Sequence, residues 1–341
     1  MGEAGGGGTN PADASASPSD APAGADAEDD ASGAAPDATP GKNLRIYWVD
    51  VEGGASTVIV TPEGEVLVVD TGFPGTRDAN RITQLLREEV KTERIDFLIT
   101  THFDGDHVGG ATRLADAFEV TRFIDRGSGD AQGYAAAAQG KRMGVQAGDR
   151  VALKGDIELV FVVGNGTVID APLAGNEPNP HCAGRTPGGR QMNEDGRSLG
   201  YRLKWGTFEF VDLGDLLGGF QHDLACPVNK VGQVDLMQIV RHGQNGSSEP
   251  QLINALSPLV VVSNNSANKG ADGPAFTNVK NIPGLQGLWQ LHTKSSAGVP
   301  ADQIANPSGD PAHFISATIE PGGAFTITNA RNDFSKTYQA R

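Results

Sequence analysis

Apolar and polar side chains alternate through LRIYWVDV at 44–51, the period of a half-buried strand. STVIVTPEGEVLVVDTG at 56–72 holds two apolar runs around a Pro62–Gly64 turn and predicts a hairpin, its second strand buried on both faces. Residues 77–93 place apolar groups at 82, 85, 86 and 90, which is helical spacing. IDFLITTH at 95–102 predicts another buried strand, and GGATRLADAF at 109–118 a helix. Strands follow over 150–166, then a long loop rich in Gly, Pro and Asn over 167–197. A hairpin over 198–215 turns at Trp205–Gly206. VDLMQIVRHG at 234–243 predicts a strand, 249–257 a helix, 258–265 a strand and 315–329 a last hairpin. No internal repeat is evident. Many strands with interspersed helices predict an α/β or α+β sandwich.

The ends of these strands carry the chemistry. IDFLITTH runs into THFDGDHVGG, where His102, Asp104, Asp106 and His107 crowd into six positions of a chain with seven histidines. FEFVDLGD ends in Asp215, LMQIVRHG reaches His242, and VLVVDTG reaches Asp70. Buried strands that deliver His and Asp at their carboxyl ends point to one site on one rim of a sheet. In a tight loop, residues 102 and 104 can face one way and 106 and 107 another, which suits two metal ions about 3.5–4 Å apart. Gly105 is expected to permit the turn. Gly109 and Gly110 are expected to let the following helix pack close. The plainer alternative is that Asp–Gly–Asp makes an ordinary turn and caps that helix. His181, His222, His292 and His313 read as structural or surface residues.

Composition narrows the setting. Residues 1–40 carry eight of the 42 acidic groups and no base, with few aliphatics beyond Ala, so 1–42 is expected to be a disordered acidic tether and 43–341 the folded domain. The remainder, with 34 acids against 27 bases, offers no general footprint for nucleic acid. No apolar stretch is long enough to span a membrane, and no signal peptide is present. The tether is what would remain of an exported or surface-tethered bacterial protein after its signal is trimmed; a cytoplasmic protein is the alternative. Cys182 and Cys226 are open to three readings: one disulfide in an oxidising compartment, buried thiols in a reducing one, or a zinc set with His181 and His222.

The order HxDxDH, then Gly–Asp, then His–Gly resembles the metallo-β-lactamase superfamily, and within it the competence-protein (ComEC-like) branch. WVDVEGGASTVIV, VVDTG, THFDGDHVGG, NEDGRSLGYRLKWGTFEFVDLGD and VRHGQNGSSEPQLINALSP follow in that family's order over roughly 44–265. The resemblance implies an αββα sandwich with a two-metal site at one edge. It assigns His102 and Asp104 to a first ion, Asp106, His107 and His242 to a second, and Asp215 to both. Asp70 would orient the metal-binding loop. Asn193 stands where the superfamily has a further histidine, Glu52 stands where the branch has Gln, and Arg241 where it often has His. Asp104 in place of a histidine hardens the first position, so Mn²⁺ or Mg²⁺ joins Zn²⁺, the first expectation.

Two such ions would lower the pKa of a water and polarise a substrate oxygen. The expected function is hydrolysis of a small ester, lactone or similar substrate. Asp106 would handle the proton, and Asn193 and Arg241 would meet the oxyanion. The alternatives are a phosphodiesterase or nuclease, and a non-catalytic metal-binding surface protein. No GxSxG elbow is present, so serine chemistry has no support. The pocket walls are expected from 126–148, 165–197 and 265–312, which carry no readable specificity code; the oligomeric state is not encoded either.

Overall fold

The computed structural model describes Met1, residues 41–294 and residues 298–341. The tether expected over 1–42 therefore lies outside the described residues, except for its ends.

Eighteen strands are described. They are β1 (Leu44–Trp48), β2 (Thr57–Val60), β3 (Val66–Val69), β4 (Arg94–Ile99), β5 (Glu119–Asp125), β6 (Arg142–Gly144), β7 (Arg150–Ala152), β8 (Ile157–Gly164) and β9 (Thr167–Val168). There follow β10 (Gly200–Trp205), β11 (Phe208–Asp212), β12 (Leu236–Gln238), β13 (Val260–Ser263), β14 (Gly287–His292), β15 (Ile304–Asn306), β16 (Ile315–Ile319), β17 (Ala324–Asn329) and β18 (Ser335–Gln339). The α-helices are α1 (Arg77–Leu85), α2 (Gly105–Val108), α3 (Ala111–Ala117), α4 (Tyr134–Ala137), α5 (Gly218–Ala225), α6 (Pro250–Leu256) and α7 (Gly273–Lys280).

Two mixed sheets result. One runs β18-β17-β16-β1-β2-β3-β4-β5-β6, antiparallel up to β3 and parallel from β3 to β6. The other runs β15-β14-β13-β12-β11-β10-β8-β7, parallel from β15 to β11, with β9 beside β8.

Period-two alternation explains the layering. Ile59 and Leu67 face the second sheet and join Phe161, Phe210, Val262 and Trp289 in the inter-sheet core. Their neighbours Val58, Val60, Val66 and Val68 face outward, where Ile82, Leu85, Leu86 and Leu114 cover them. On the far side, Val162, Val211 and Val261 pack under Phe220, Leu252, Leu256 and Phe276. The order is helix, sheet, sheet, helix. Trp48 bridges the two sheets edge-on to Phe210 at 5.9 Å between ring centroids, a contact worth about 0.5–1.5 kcal/mol beyond its burial.

Both predicted hairpins around the site form as expected, and so does the C-terminal one, to which β18 is added. The predicted helix over 77–93 is α-helical only to Leu85, widens into a π-turn over Leu86–Val90 and stops at left-handed Lys91. All four apolar positions that defined it are buried. The strand expected over 234–243 shrinks to β12, because the chain turns sharply at Val240–Gly243. Strands β5, β14 and β15 and helices α5 and α7 fall on stretches whose pattern predicted nothing.

Cys182 and Cys226 form a disulfide, with Cα atoms 5.8 Å apart. The bond consumes both thiols, so the zinc set with His181 and His222 does not exist. It ties the turn at Pro180–Cys182 to the end of α5 and closes a loop that contains β10 and β11. Breaking it by Cys182→Ser with Cys226→Ser is expected to lower the unfolding free energy by about 2–4 kcal/mol. Denaturant titration reads this; unchanged stability would mean that the cross-link constrains nothing.

Candidate metal centre

Four strands bring their carboxyl ends to one rim. β3 delivers Asp70, β4 delivers the 102–107 loop, β11 delivers Asp215 and β12 delivers His242. Asp70 sits in a left-handed conformation (φ 59°), and so do Arg241 (φ 53°) and His242 (φ 52°). Such backbone in non-glycine residues costs about 1–3 kcal/mol each and persists where surrounding contacts dictate it. Here Arg241 N–H donates to Gly214 O at 3.0 Å, and Ala271 N–H to His242 O at 2.8 Å. Gly270 comes so close that a Cβ would stand 2.2 Å from His242 O.

The expected glycine roles divide. Gly109 and Gly110 do admit close packing: a Cβ on either would fall 2.1 Å from Pro74 N or 2.5 Å from Thr71 O. Gly105 is the first residue of α2, and a Cβ there would have ordinary room. Asp104 precedes α2, yet its side chain caps nothing. Its carboxylate instead lies 3.7 Å from His102 Nε2.

Asp70 wires the loop together. Its Oδ1 accepts Thr101 N–H at 2.8 Å, and its Oδ2 accepts Thr101 Oγ1–H at 2.7 Å. Oδ2 also accepts His107 Nδ1–H at 2.7 Å. Because the Thr101 hydroxyl proton goes to Asp70, that oxygen must accept from His102 Nδ1, 3.1 Å away. Both histidines are thus oriented with Nε2 toward the site, the tautomer a metal ligand needs. His102 Nε2 is buried and has no hydrogen-bond partner.

His107 Nε2 stands 3.4 Å from Asp106 Oδ2, 3.4 Å from Asp215 Oδ1 and 3.3 Å from His242 Nε2. His242 Nε2 is 3.4 Å from Asp106 Oδ2 and 3.3 Å from Asp215 Oδ1. Ligands about 2.0–2.2 Å from a tetrahedral zinc stand about 3.3–3.6 Å from one another, and that is the spacing of each carboxylate oxygen from both imidazole nitrogens; Asp106 Oδ2 is also taken by Lys269 Nζ. On the other side, His102 Nε2 faces Asp104 and, at 4.0 Å, Asp195 Oδ1. These wider spacings suit an open position that keeps room for water or substrate.

The charges reflect the crowding. Burial pushes the His107 imidazole down, but Asp215, Asp70 and Asp106 outweigh it and hold its pKa well above 6.5. His242 is raised by Asp215 and Asp106 in the same way, against its burial. Burial opposes ionisation of Asp106 and Asp215, yet both carboxyls are held low by the two histidines, and Asp106 also by Lys269. Asp212, buried behind them, is pushed up to about 7 by desolvation.

Of the residues expected here, His102, Asp104, Asp106, His107, Asp215 and His242 converge, with Asp70 behind them. Arg241 joins through Asp195, Nη2 to Oδ2 at 2.8 Å. Asn193 does not: its side chain is exposed, and its Oδ1 accepts Gly196 N–H at 3.1 Å, capping the turn that carries Asp195. Asp195 and Lys269, which pairs with Asp106, went unread in the sequence. Asp195 was visible only as an acid two residues past the expected slot, and Lys269 carried no signal. His292 pairs with Asp50 at 2.6 Å instead of joining the group.

Two outcomes test this wiring. Asp70→Asn removes the acceptor that orients His107 and is expected to weaken metal binding about 10- to 100-fold, read by calorimetric titration; unchanged affinity would refute the wiring. Raised histidine pKa values stabilise the metal-free fold below about 6.5, and that stability is lost as pH rises through the folded pKa. Metal-free protein should therefore lose stability above pH 6.5. Metal uptake near pH 7 should release protons, read from calorimetry in buffers of different ionisation enthalpy. Uptake without proton release would contradict the assignment.

The family model of the metallo-β-lactamase superfamily matches residues 49–188. A curated protein of Cupriavidus metallidurans, described as a metal-dependent hydrolase, is 34% identical over 93 residues, which is 26% of this chain and 28% of that protein. The chain thus spans little more than a quarter of that relative. Among solved structures, the metallo-β-lactamase fold protein YhfI of Bacillus subtilis is 12% identical with a TM-score of 0.45, over 72% of this chain and 95% of its own. A metallo hydrolase of the archaeon Ignicoccus hospitalis is 12% identical with a TM-score of 0.42, over 80% and 98%. The matched segment contains the whole 102–107 loop, and with the helix–sheet–sheet–helix layering it gives the chain the metallo-β-lactamase fold.

Proposed function

We propose that the protein is a metal-dependent hydrolase with a two-ion centre, acting on an ester, lactone or similar small substrate. The supporting observation is the His107–His242 pair with Asp106 and Asp215, whose oxygens each stand 3.3–3.4 Å from both ring nitrogens, the ligand-to-ligand spacing at a tetrahedral ion. In this reading His107, His242 and Asp106 hold the second ion, His102 and Asp104 the first, and Asp215 both. Zinc is the first candidate for the quartet, and Mn²⁺ or Mg²⁺ for the harder first position. Divalent ions there supply a water of near-neutral pKa and polarise a substrate oxygen.

The chain's own groups do the rest. Asp70 holds His107 and, through Thr101, His102 in the required tautomers. Asp106 would hold the proton of the attacking water. Arg241, held by Asp195 through Nη2, would meet the substrate's developing charge with its remaining N–H groups. Lys269 pairs with Asp106 and lies 5.8 Å from the Phe73 ring centroid.

These two cations also favour a second reading, a phosphodiesterase, as the competence-like resemblance suggests. The disulfide fits an oxidising compartment and so an exported protein. Among the described residues, no helix is long and apolar enough to cross a membrane.

Metal analysis of the purified protein, paired with an ester, lactone and bis-phosphodiester panel, tests the proposal. Asp106→Ala and His242→Ala are each expected to lose bound metal and to lower turnover at least about 100-fold. Full metal content and full activity in both would overturn the assignment; intact metal binding with no turnover on any substrate would leave a metal-binding surface protein.

A further inference from the structure

We propose that Asp195 is a ligand of the first metal position, which makes that position oxygen-rich and chemically unlike the second. The inference rests on the metal-hydrolase reading and deepens it. With His102, Asp104, Asp195 and the shared Asp215, the first position offers one imidazole and three carboxylates. The second offers two imidazoles and two carboxylates.

The geometry points to Asp195 in several ways. Its side chain is buried, unusual for an aspartate without a charged partner on each oxygen. Arg241 Nη2 takes Oδ2 at 2.8 Å, which leaves Oδ1 directed at His102 Nε2, 4.0 Å away. That nitrogen is itself buried and unpartnered, and its tautomer leaves a lone pair facing the gap. Asp104 Oδ2 completes the group, and the three donor atoms lie within 4.8 Å of one another. An ion in the gap would satisfy all three at once.

The turn that carries Asp195 is braced as a ligand loop should be. Its neighbour Glu194 makes a paired ion contact with Arg126, at 2.6 and 2.8 Å, and accepts Phe103 N–H at 2.8 Å. Gly196 admits Gln191 O so closely that a Cβ would stand 1.8 Å from it. These contacts tie the turn to Phe103, inside the metal-binding loop itself. Asp195 therefore does by carboxylate what the superfamily's further histidine would do.

The consequence is asymmetry. The two imidazoles, with Asp106 and Asp215 each 3.3–3.4 Å from both, suit zinc. The first position, at 3.7–4.0 Å and dominated by oxygen, suits a harder and more readily exchanged ion such as Mn²⁺. The plainer alternative is that Asp195 only anchors Arg241 in the pocket wall.

Titration of metal-free protein with Zn²⁺ and with Mn²⁺ separates these, followed by calorimetry and by the electron paramagnetic signal of bound Mn²⁺. Wild type is expected to bind two ions, with Mn²⁺ confined to one position. Asp195→Asn and Asp195→Ala should keep the tight zinc position and weaken the other at least about tenfold, with Mn²⁺ binding lost first. Asp195→His should restore a second zinc without restoring Mn²⁺. Two undiminished positions in Asp195→Ala would overturn the proposal and leave Asp195 as a wall residue. A wild type that binds no metal would instead sink the hydrolase reading beneath it. Thermal melts show whether each variant is folded, and the conservative Asp195→Asn carries the test if the alanine variant is not.

Discussion

The Asp70 carboxylate is the contact on which the rest of the centre depends. It joins the end of β3 to the end of β4, and its two oxygens take every proton that could otherwise turn the wrong way: Thr101 N–H, Thr101 Oγ1–H and His107 Nδ1–H. From those three bonds follow the tautomers of two histidines and the direction of the loop between them. An aspartate buried this deeply is costly unless fully bonded. The left-handed backbone at Asp70 is what aims the carboxylate along the rim instead of into the inter-sheet core.

That constraint acts locally, but the site spans both sheets. Thr57 Oγ1 donates to Gln238 Oε1 at 2.8 Å, a direct hydrogen bond between the first sheet and the second beside the rim. Arg241 N–H to Gly214 O then fixes the turn bearing His242 against the turn bearing Asp215. Donor spacings of 3.3–3.4 Å are thus set by backbone and side-chain hydrogen bonds between strand ends. The left-handed pair Arg241–His242 stores the strain that this placement requires.

Much of this was legible in the sequence because it is local. Alternation located β1, apolar runs around turns located β2, β3, β10, β11, β16 and β17, a continuous apolar run located β4, and the strand-end position of His102, Asp215 and Asp70 located the rim. His242 was legible as a residue but not as a turn: the apolar run Leu236–Val240 hides a strand that stops at Gln238. Strand β5 was missed because Glu119, Thr121 and Arg122 break its apolar pattern, although Val120, Phe123 and Ile124 are buried. Asn193 and Asp195 were exchanged for a physical reason. Only the turn, capped by Asn193 and pinned by Glu194, decides which of the two polar side chains faces inward, and spacing alone does not carry that information.

The electrostatics explain why this cluster would favour a cation. Each of two carboxylates lies within about 3.4 Å of both imidazoles in a buried setting. Without an ion, protons must stand between them, which is why both histidines are driven above their ordinary value and both carboxyls below theirs. In the function proposed above, a divalent ion would take the place of those protons. Asp212, three residues before Asp215 and raised to about 7, shows the limit of that compensation, since desolvation outweighs the help it receives from Gly214 N–H and His107. The rim thus concentrates acidic groups, and in the proposed first position a single imidazole, His102, faces Asp104 and Asp195, with Arg241 paired to Asp195. Negative charge in excess of imidazole is the condition under which a harder ion competes with zinc.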